Sequence, residues 1–204
     1  MIETGRKTLI LGCNNSVIPS DGSVTSIGYE AFRGCAGLTS IVIPDGVELI
    51  EDGTFAYCSG LTSIIIPDSV VQIRKSAFSG CSALTSIVIP DSVTSIGYEA
   101  FRDCSGLTSI TISDNVIAIG DVAFTGCSGL ETITVGADNT SYHSDGNCLI
   151  ETGSKTLILG CKNSVIPSDG SVTSIFFEAF RGCVGLTSIA IPDSVTSINK
   201  DAFV

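Results

Sequence analysis

Residues 38–129 read as four consecutive segments of equal length: LTSIVIPDGVELIEDGTFAYCSG (38–60), LTSIIIPDSVVQIRKSAFSGCSA (61–83), LTSIVIPDSVTSIGYEAFRDCSG (84–106) and LTSITISDNVIAIGDVAFTGCSG (107–129). They share the template L-x-x-I-x-I-P-D-x-V-x-x-I-x-x-x-x-F-x-x-C-x-x, and a fixed internal period of this kind is the signature of a stacked repeat. The apolar residue before the Pro marks each coil: Ile18, Ile43, Ile66, Ile89, Ile112, Val135, Ile166 and Ile191, at intervals of 25, 23, 23, 23, 23, 31 and 25 residues. About eight coils are therefore expected, mostly of 23 residues. A unit this short cannot bury its apolar set alone, but stacked neighbours can, so the fold is a solenoid.

Each unit has a physical reading. In Leu38 to Ile43 the alternation turns Leu38, Ile41 and Ile43 inward and Thr39 and Val42 outward, as in a short strand. Pro44 stops that strand because it cannot donate to a ladder, and Asp45-Gly46 turns the chain. Val47 and Ile50 start a second extended segment on the opposite wall. Tyr29-Glu30-Ala31-Phe32-Arg33 and its equivalents read as one helical turn, with Glu30 and Arg33 spaced to pair. The fold class is thus a β-rich α/β solenoid with short strands and one helical turn per coil. Phe32, Phe55, Phe78, Phe101, Phe124, Phe180 and Phe203 should form an internal aromatic column, at the roughly 4.8 Å spacing of stacked strands.

Residues 130–166 form a longer coil. Leu130 to Val135 is an ordinary strand, and Gly136 to Gly146 reads as a polar loop. Asn147 to Glu151 and Lys155 to Leu159 flank Thr152-Gly153-Ser154, the pattern of a β-hairpin. Residues 2–35 recur almost unchanged at 150–183. The first copy starts where a module would be half over, so residues 1–204 are expected to be one solenoid cut from a longer array. No signal-peptide pattern follows Met1.

The template and the insert CLIETGSKTLILGCKNSVIP (148–167), with LTSIVIPDSVTSIGYEAF (84–101) and the Gly-Cys pair after the Phe, resemble the treponemal-type leucine-rich repeats of BspA-like bacterial surface proteins. The resemblance covers essentially the whole chain. It implies a right-handed solenoid with a strand-lined concave face, in a parent protein that is secreted or held at the cell surface. It implies adhesion to, or binding of, an extracellular or host protein. It supplies no catalytic residues.

Composition narrows the function further. The net charge is −11, with 10 Lys+Arg among 204 residues, which leaves no basic patch for nucleic acid or an anionic membrane. No apolar run reaches the roughly 18 residues of a membrane span. Nine Cys, an odd number, cannot all pair within the chain. Cys35, Cys58, Cys81, Cys104, Cys127 and Cys183 share one template position, without the paired Cys or His partners of a zinc site. They read as small buried packing residues, while a Cys148–Cys161 bridge stays open as an alternative. Asp45, Asp68, Asp91, Asp114 and Asp193 form a second column, expected to accept turn N–H groups rather than to hold a cation. His143 reads as a solvated loop residue, since nothing signals a nucleophile or an oxyanion site near it. Neither a metal nor a cofactor is expected, nor is enzymatic activity.

The remaining candidate is the outward strand face: Thr39, Ser40 and Val42; Thr62, Ser63 and Ile65; Thr85, Ser86 and Val88; Thr108, Ser109 and Thr111; Glu131, Thr132 and Thr134. It is rich in hydroxyls, with an apolar stripe through Val42, Ile65 and Val88, and solenoids use such extended faces for recognition. A protein-binding or adhesion module is the first reading, and a spacer without a ligand of its own is the alternative. Exposed coil ends lead to an expectation of end-to-end self-association.

Overall fold

The computed structural model describes all 204 residues. The chain winds as a β-solenoid of about seven turns, each closed on a Phe at the template position. The segment after Val135 does not close a turn of its own with a Phe, which is why the count falls below eight.

The second extended segment of the template forms the longest sheet. Strands β3 (Ser26–Ile27), β5 (Leu49–Ile50), β7 (Gln72–Ile73), β8 (Ser95–Ile96) and β10 (Ala118–Ile119) pair in parallel, coil to coil, and the antiparallel hairpin β1 (Ile2–Glu3) and β2 (Thr8–Leu9) extends this sheet at one end. The L-x-x-I-x-I segments pair less continuously. β4 (Ser40–Val42) pairs with β6 (Ser63–Ile65), and β9 (Ser109–Ile112) with β11 (Thr132–Val135), both parallel. Residues 84–89, between these pairs, form no strand.

No helix is present, and the expected helical turn is corrected to a ladder of tight turns. The reason lies in two columns of left-handed backbone. Two residues before each Phe, φ is positive: Glu30 (51°), Gly53 (64°), Ser76 (53°), Glu99 (55°), Val122 (53°), Glu178 (56°) and Asp201 (58°). Two residues after the Phe it is positive again at Gly34, Tyr57, Gly80, Asp103, Gly126 and Gly182. An α-helix needs an unbroken run of right-handed residues, so this alternation forbids it. Every second N–H instead points sideways to the next coil: Glu30, Phe32 and Gly34 donate to the carbonyls of Asp52, Thr54 and Ala56 at 3.1, 2.8 and 2.8 Å. The intervening residues close local turns, as Ala31 N–H to Gly28 O (3.2 Å) and Arg33 N–H to Glu30 O (3.0 Å). Glu30 and Arg33 still pair, at 2.5 Å, because three residues of this turn ladder bring them together as a helical turn would.

Five Phe rings, 32 to 124, stack with centroids 5.2–5.4 Å apart, and Phe180 stacks on Phe203 at 4.9 Å. The column is interrupted between Phe124 and Phe180 by β12 (Tyr142–Asp145), β13 (Cys148–Glu151) and β14 (Thr156–Leu159), an antiparallel meander whose last strand pairs with β15 (Ser174–Ile175), followed by β16 (Ser197–Ile198). This meander is a partition between two cores. Leu149 and Leu159 join the larger core, while Cys148, Ile150 and Leu157 join the smaller one around Phe180. A register shift between Leu149 and Ile150 lets Leu157 and Leu159, which have the same parity, face opposite ways.

Glycine makes the partition fit. Gly160 N–H donates to Ala179 O (2.8 Å), as Gly12 N–H does to Ala31 O (2.7 Å). These are ladder bonds, so each glycine stands where another coil carries its Phe. A Cβ on Gly160 would lie 2.0 Å from Cε1 of Phe180, a ring already held against Phe203. Gly160→Ala is expected to cost about 1–3 kcal/mol through overpacking. An unchanged urea midpoint would show that the ring can retreat.

Candidate functional site

All fifteen residues of the predicted face are solvent-exposed, and two strand pairs align those of the first two and the last two coils. Ser40, Ile41 and Val42 lie beside Ser63, Ile64 and Ile65, and Ser109 to Ile112 beside Thr132 to Val135. The alternation that buries Ile41, Ile64, Ile87, Ile110 and Ile133 places the intervening side chains in water.

The rows differ in what their side chains do. Thr62 Oγ1 donates to Thr39 O (3.0 Å) and Thr108 Oγ1 to Thr85 O (3.2 Å), so the first threonine row ties coil to coil. Thr111 and Thr134 bond each other through their hydroxyls at 2.9 Å. Glu131 is held by Lys162 at 2.7 Å. The apolar stripe makes no such links between coils, and it stands in water: Val42 is 57% exposed, Ile65 62% and Val88 80%. Val17 and Val165, also strongly exposed, occupy the same template position, directly before Ile-Pro. The face read from the sequence omits both because their coils depart from L-T-S-I, although the V-I-P triplet marks them.

A groove opens beside Val88, where residues 84–89 lack strand pairing. It is lined by Ile87, Ile89, Thr111, Ile112, Ser113 and Asp114 among others. Ser113 stands where other coils have Pro, and its buried hydroxyl has no hydrogen-bond partner.

The cysteine column is a packing device with a directional bond. Cys58, Cys81, Cys104 and Cys127 are buried, and each thiol donates to the carbonyl of the Phe in the preceding coil (Phe32, Phe55, Phe78, Phe101) at 3.1–3.2 Å. Desolvation pushes the thiols of Cys58 and Cys127 up to about 12 and drives Cys81 and Cys104 upward as well. They are poor nucleophiles in the folded state. All nine cysteines are free, Cys148 and Cys161 included.

The aspartate column is corrected in its role. The turns close through the backbone, as Val70 N–H to Pro67 O (3.1 Å) and Val93 N–H to Pro90 O (3.0 Å). Of the five carboxylates only Asp114 accepts a backbone N–H, from Asp138 at 3.0 Å. The coil-to-coil link comes from the neighbouring serines: Ser69 Oγ donates to Val47 O (2.9 Å) and Ser92 Oγ to Val70 O (2.7 Å). A serine hydroxyl both donates and accepts, and Ser69 Oγ also takes the Gly46 N–H (3.1 Å), whereas a carboxylate can only accept. No three His, Cys, Asp or Glu side chains converge as metal ligands. His143 lies on β12 rather than in a loop, with Nδ1 3.0 Å from Thr152 Oγ1. No helix is long and apolar enough to cross a membrane.

Known proteins share this geometry. The family model described as the BspA type leucine rich repeat region matches residues 13–148 and 157–204, in six copies. The fold is similar to that of a leucine rich cell surface protein from Faecalibacterium prausnitzii A2-165 (33% identity, TM-score 0.70, covering 89% of this chain and 56% of that one). It is similar also to a leucine-rich repeat protein from Eubacterium ventriosum (24% identity, TM-score 0.75, 87% and 48% covered). The leucine rich repeat protein of T. pallidum gives 26% identity and a TM-score of 0.64, with 97% and 81% covered. The chain thus spans about half the length of the first two. No curated protein matches the sequence. Repeat template, solenoid and family model coincide over nearly the whole chain, and the protein belongs to the BspA-type leucine-rich repeat family.

Proposed function

We propose that the protein is a non-enzymatic binding or adhesion module that engages an extracellular protein through its exposed strand face, in a parent protein located at the bacterial surface. The observation that carries this reading is the unsatisfied apolar stripe of Val42, Ile65 and Val88 between rows of hydroxyls. Those hydroxyls are in part already used between coils, so the stripe is the surface that gains from being covered. A regular, rigid face suits recognition because little order is lost on binding. The groove beside Val88 adds a local concavity to the stripe. The surface location rests on the family and on the likeness to the F. prausnitzii cell surface protein.

The test replaces Val42, Ile65 and Val88 together by Glu and measures surface plasmon resonance against a panel of purified extracellular-matrix and serum proteins. The native chain is expected to bind at least one of them, and the triple variant to bind at least about tenfold more weakly, as when a buried apolar centre is lost. Equal binding by both would move the site off this face. Silence across the panel would favour the spacer.

A further inference from the structure

The partition between the two cores leaves a cavity of about 160 Å³ where the turn ladder breaks off. In the coil before it, the N–H groups of Glu99, Phe101 and Asp103 donate to Asp121, Ala123 and Thr125 carbonyls at 3.3, 2.7 and 2.8 Å. Their successors Val122, Phe124 and Gly126 hold the same positions one coil on, and none of their N–H groups finds an acceptor. The next layer is the hairpin, whose single ladder bond runs from Gly160 forward to Ala179. Val122 and Phe124 line the cavity and are 9% and 3% exposed. Buried donors without acceptors are costly, so the wall calls for oxygen atoms from elsewhere.

The other walls define which oxygens. Asp121 and Glu151 supply carboxylates, the second also taking the Ser154 hydroxyl, and Thr156 and Tyr142, whose oxygen accepts the Ile119 N–H at 2.8 Å, add hydroxyl groups. No Lys or Arg lines the cavity, and two carboxylates repel an anion. Ile119, Phe124, Leu149, Ile158 and Phe176 provide apolar surface. An occupant must accept from backbone N–H groups, donate to carboxylates and present C–H faces to aromatic and aliphatic side chains. Hydroxyl groups on a saturated ring do all three. A cavity of roughly 150 Å³ holds a bare six-membered ring, so a single ring enters here and its outward hydroxyl groups stay at the opening.

We propose that this cavity binds a single pyranose unit of a carbohydrate, with ring hydroxyls accepting from Val122 and Phe124 N–H and donating to Asp121 and Glu151. This site is distinct from the strand face, and its occupant is independent of any protein bound there. Val122, a β-branched residue held at φ 53°, keeps its N–H aimed across the coil boundary at a cost in backbone strain.

The test is a ¹H–¹⁵N titration of the full chain with millimolar methyl pyranosides of glucose, galactose, mannose and N-acetylglucosamine. Sodium acetate and glycylglycine are titrated in parallel. At least one pyranoside is expected to shift the amides of Val122 and Phe124 and of 151–156, and acetate and glycylglycine to leave them in place. The double variant Asp121→Asn, Glu151→Gln keeps the cavity's shape and should weaken that titration about tenfold or more, the loss of hydrogen bonds to charged acceptors. Ile158→Trp, which fills the cavity from its apolar side, should abolish it. The proposal is overturned if no pyranoside moves these amides, if acetate or glycylglycine moves them instead, or if the carboxamide variant titrates like the native chain.

Discussion

Raising the pH from about 8 to about 10 is expected to remove most of the stability of the fold, because its core carries a file of neutral thiols. Cys58, Cys127 and Cys148 are held near 12 by desolvation, against an ordinary 9.0, and Cys81 and Cys104 are raised in the same sense. In the unfolded chain these thiols ionise above pH 9.0, while in the folded chain they stay protonated. The unfolded state then binds fewer protons, so stability falls as pH rises through this window and is fully present below it. Each thiol contributes roughly 1–2 kcal/mol per pH unit, and five of them about 5–10 kcal/mol one unit above their unfolded value. That is comparable with the whole stability of an ordinary domain. Urea midpoints followed by circular dichroism across this range give the check. A flat profile would mean that the thiols ionise in place. Replacing Cys81 and Cys104 by Ala should shallow the slope, since two titrating groups are gone.

The second large effect is Phe101→Ala. The ring is fully buried and stacks between Phe78 and Phe124 at 5.2 Å on both sides, nearly parallel to each. Ring, neighbours and turn ladder are all fixed, so the cavity cannot collapse, and the expected loss is about 3–5 kcal/mol. Neighbouring coils carry the coupling in a solenoid. The variant should therefore also broaden the denaturation curve, as coils on the two sides of the gap begin to unfold separately. A loss below about 1 kcal/mol would show that the column contributes little.

The inward positions were legible in the sequence because one period of 23 residues repeats the same side chains in the same order. Leu38, Ile41, Ile43, Val47, Ile50 and Phe55 are all buried, and so are their counterparts in the next two coils. The face was legible for the same reason: whatever alternates with buried Ile in a strand is exposed. The turn ladder was not. Tyr-Glu-Ala-Phe-Arg has good helix formers and a Glu and Arg three residues apart, which is the local pattern of a helix. The contrary signal was at Gly53, in the position where other coils have Glu, Ser, Val or Asp, and in the glycines at 34, 80, 126 and 182. A column in which glycine recurs two residues after Phe marks left-handed backbone. The aspartates misled for a different reason, since a residue in a turn need not be the one that binds the turn's N–H groups. The cavity depends on what one layer lacks, a ring of the stacked column between Phe124 and Phe180, and absence has no local pattern.

The turn ladder has one further physical consequence. In a β-sheet the N–H and C=O groups of a strand alternate toward both neighbours, so their dipoles largely cancel. In this wall all twelve coil-to-coil bonds between residues 30 and 125 point the same way, N–H forward and carbonyl back. The wall therefore carries a cumulative dipole along the solenoid axis, as an α-helix does along its own. Its positive pole is the backbone of Val122, Phe124 and Gly126. A protein without a single helix thus places at the centre of its length the electrostatic equivalent of a helix N-terminus.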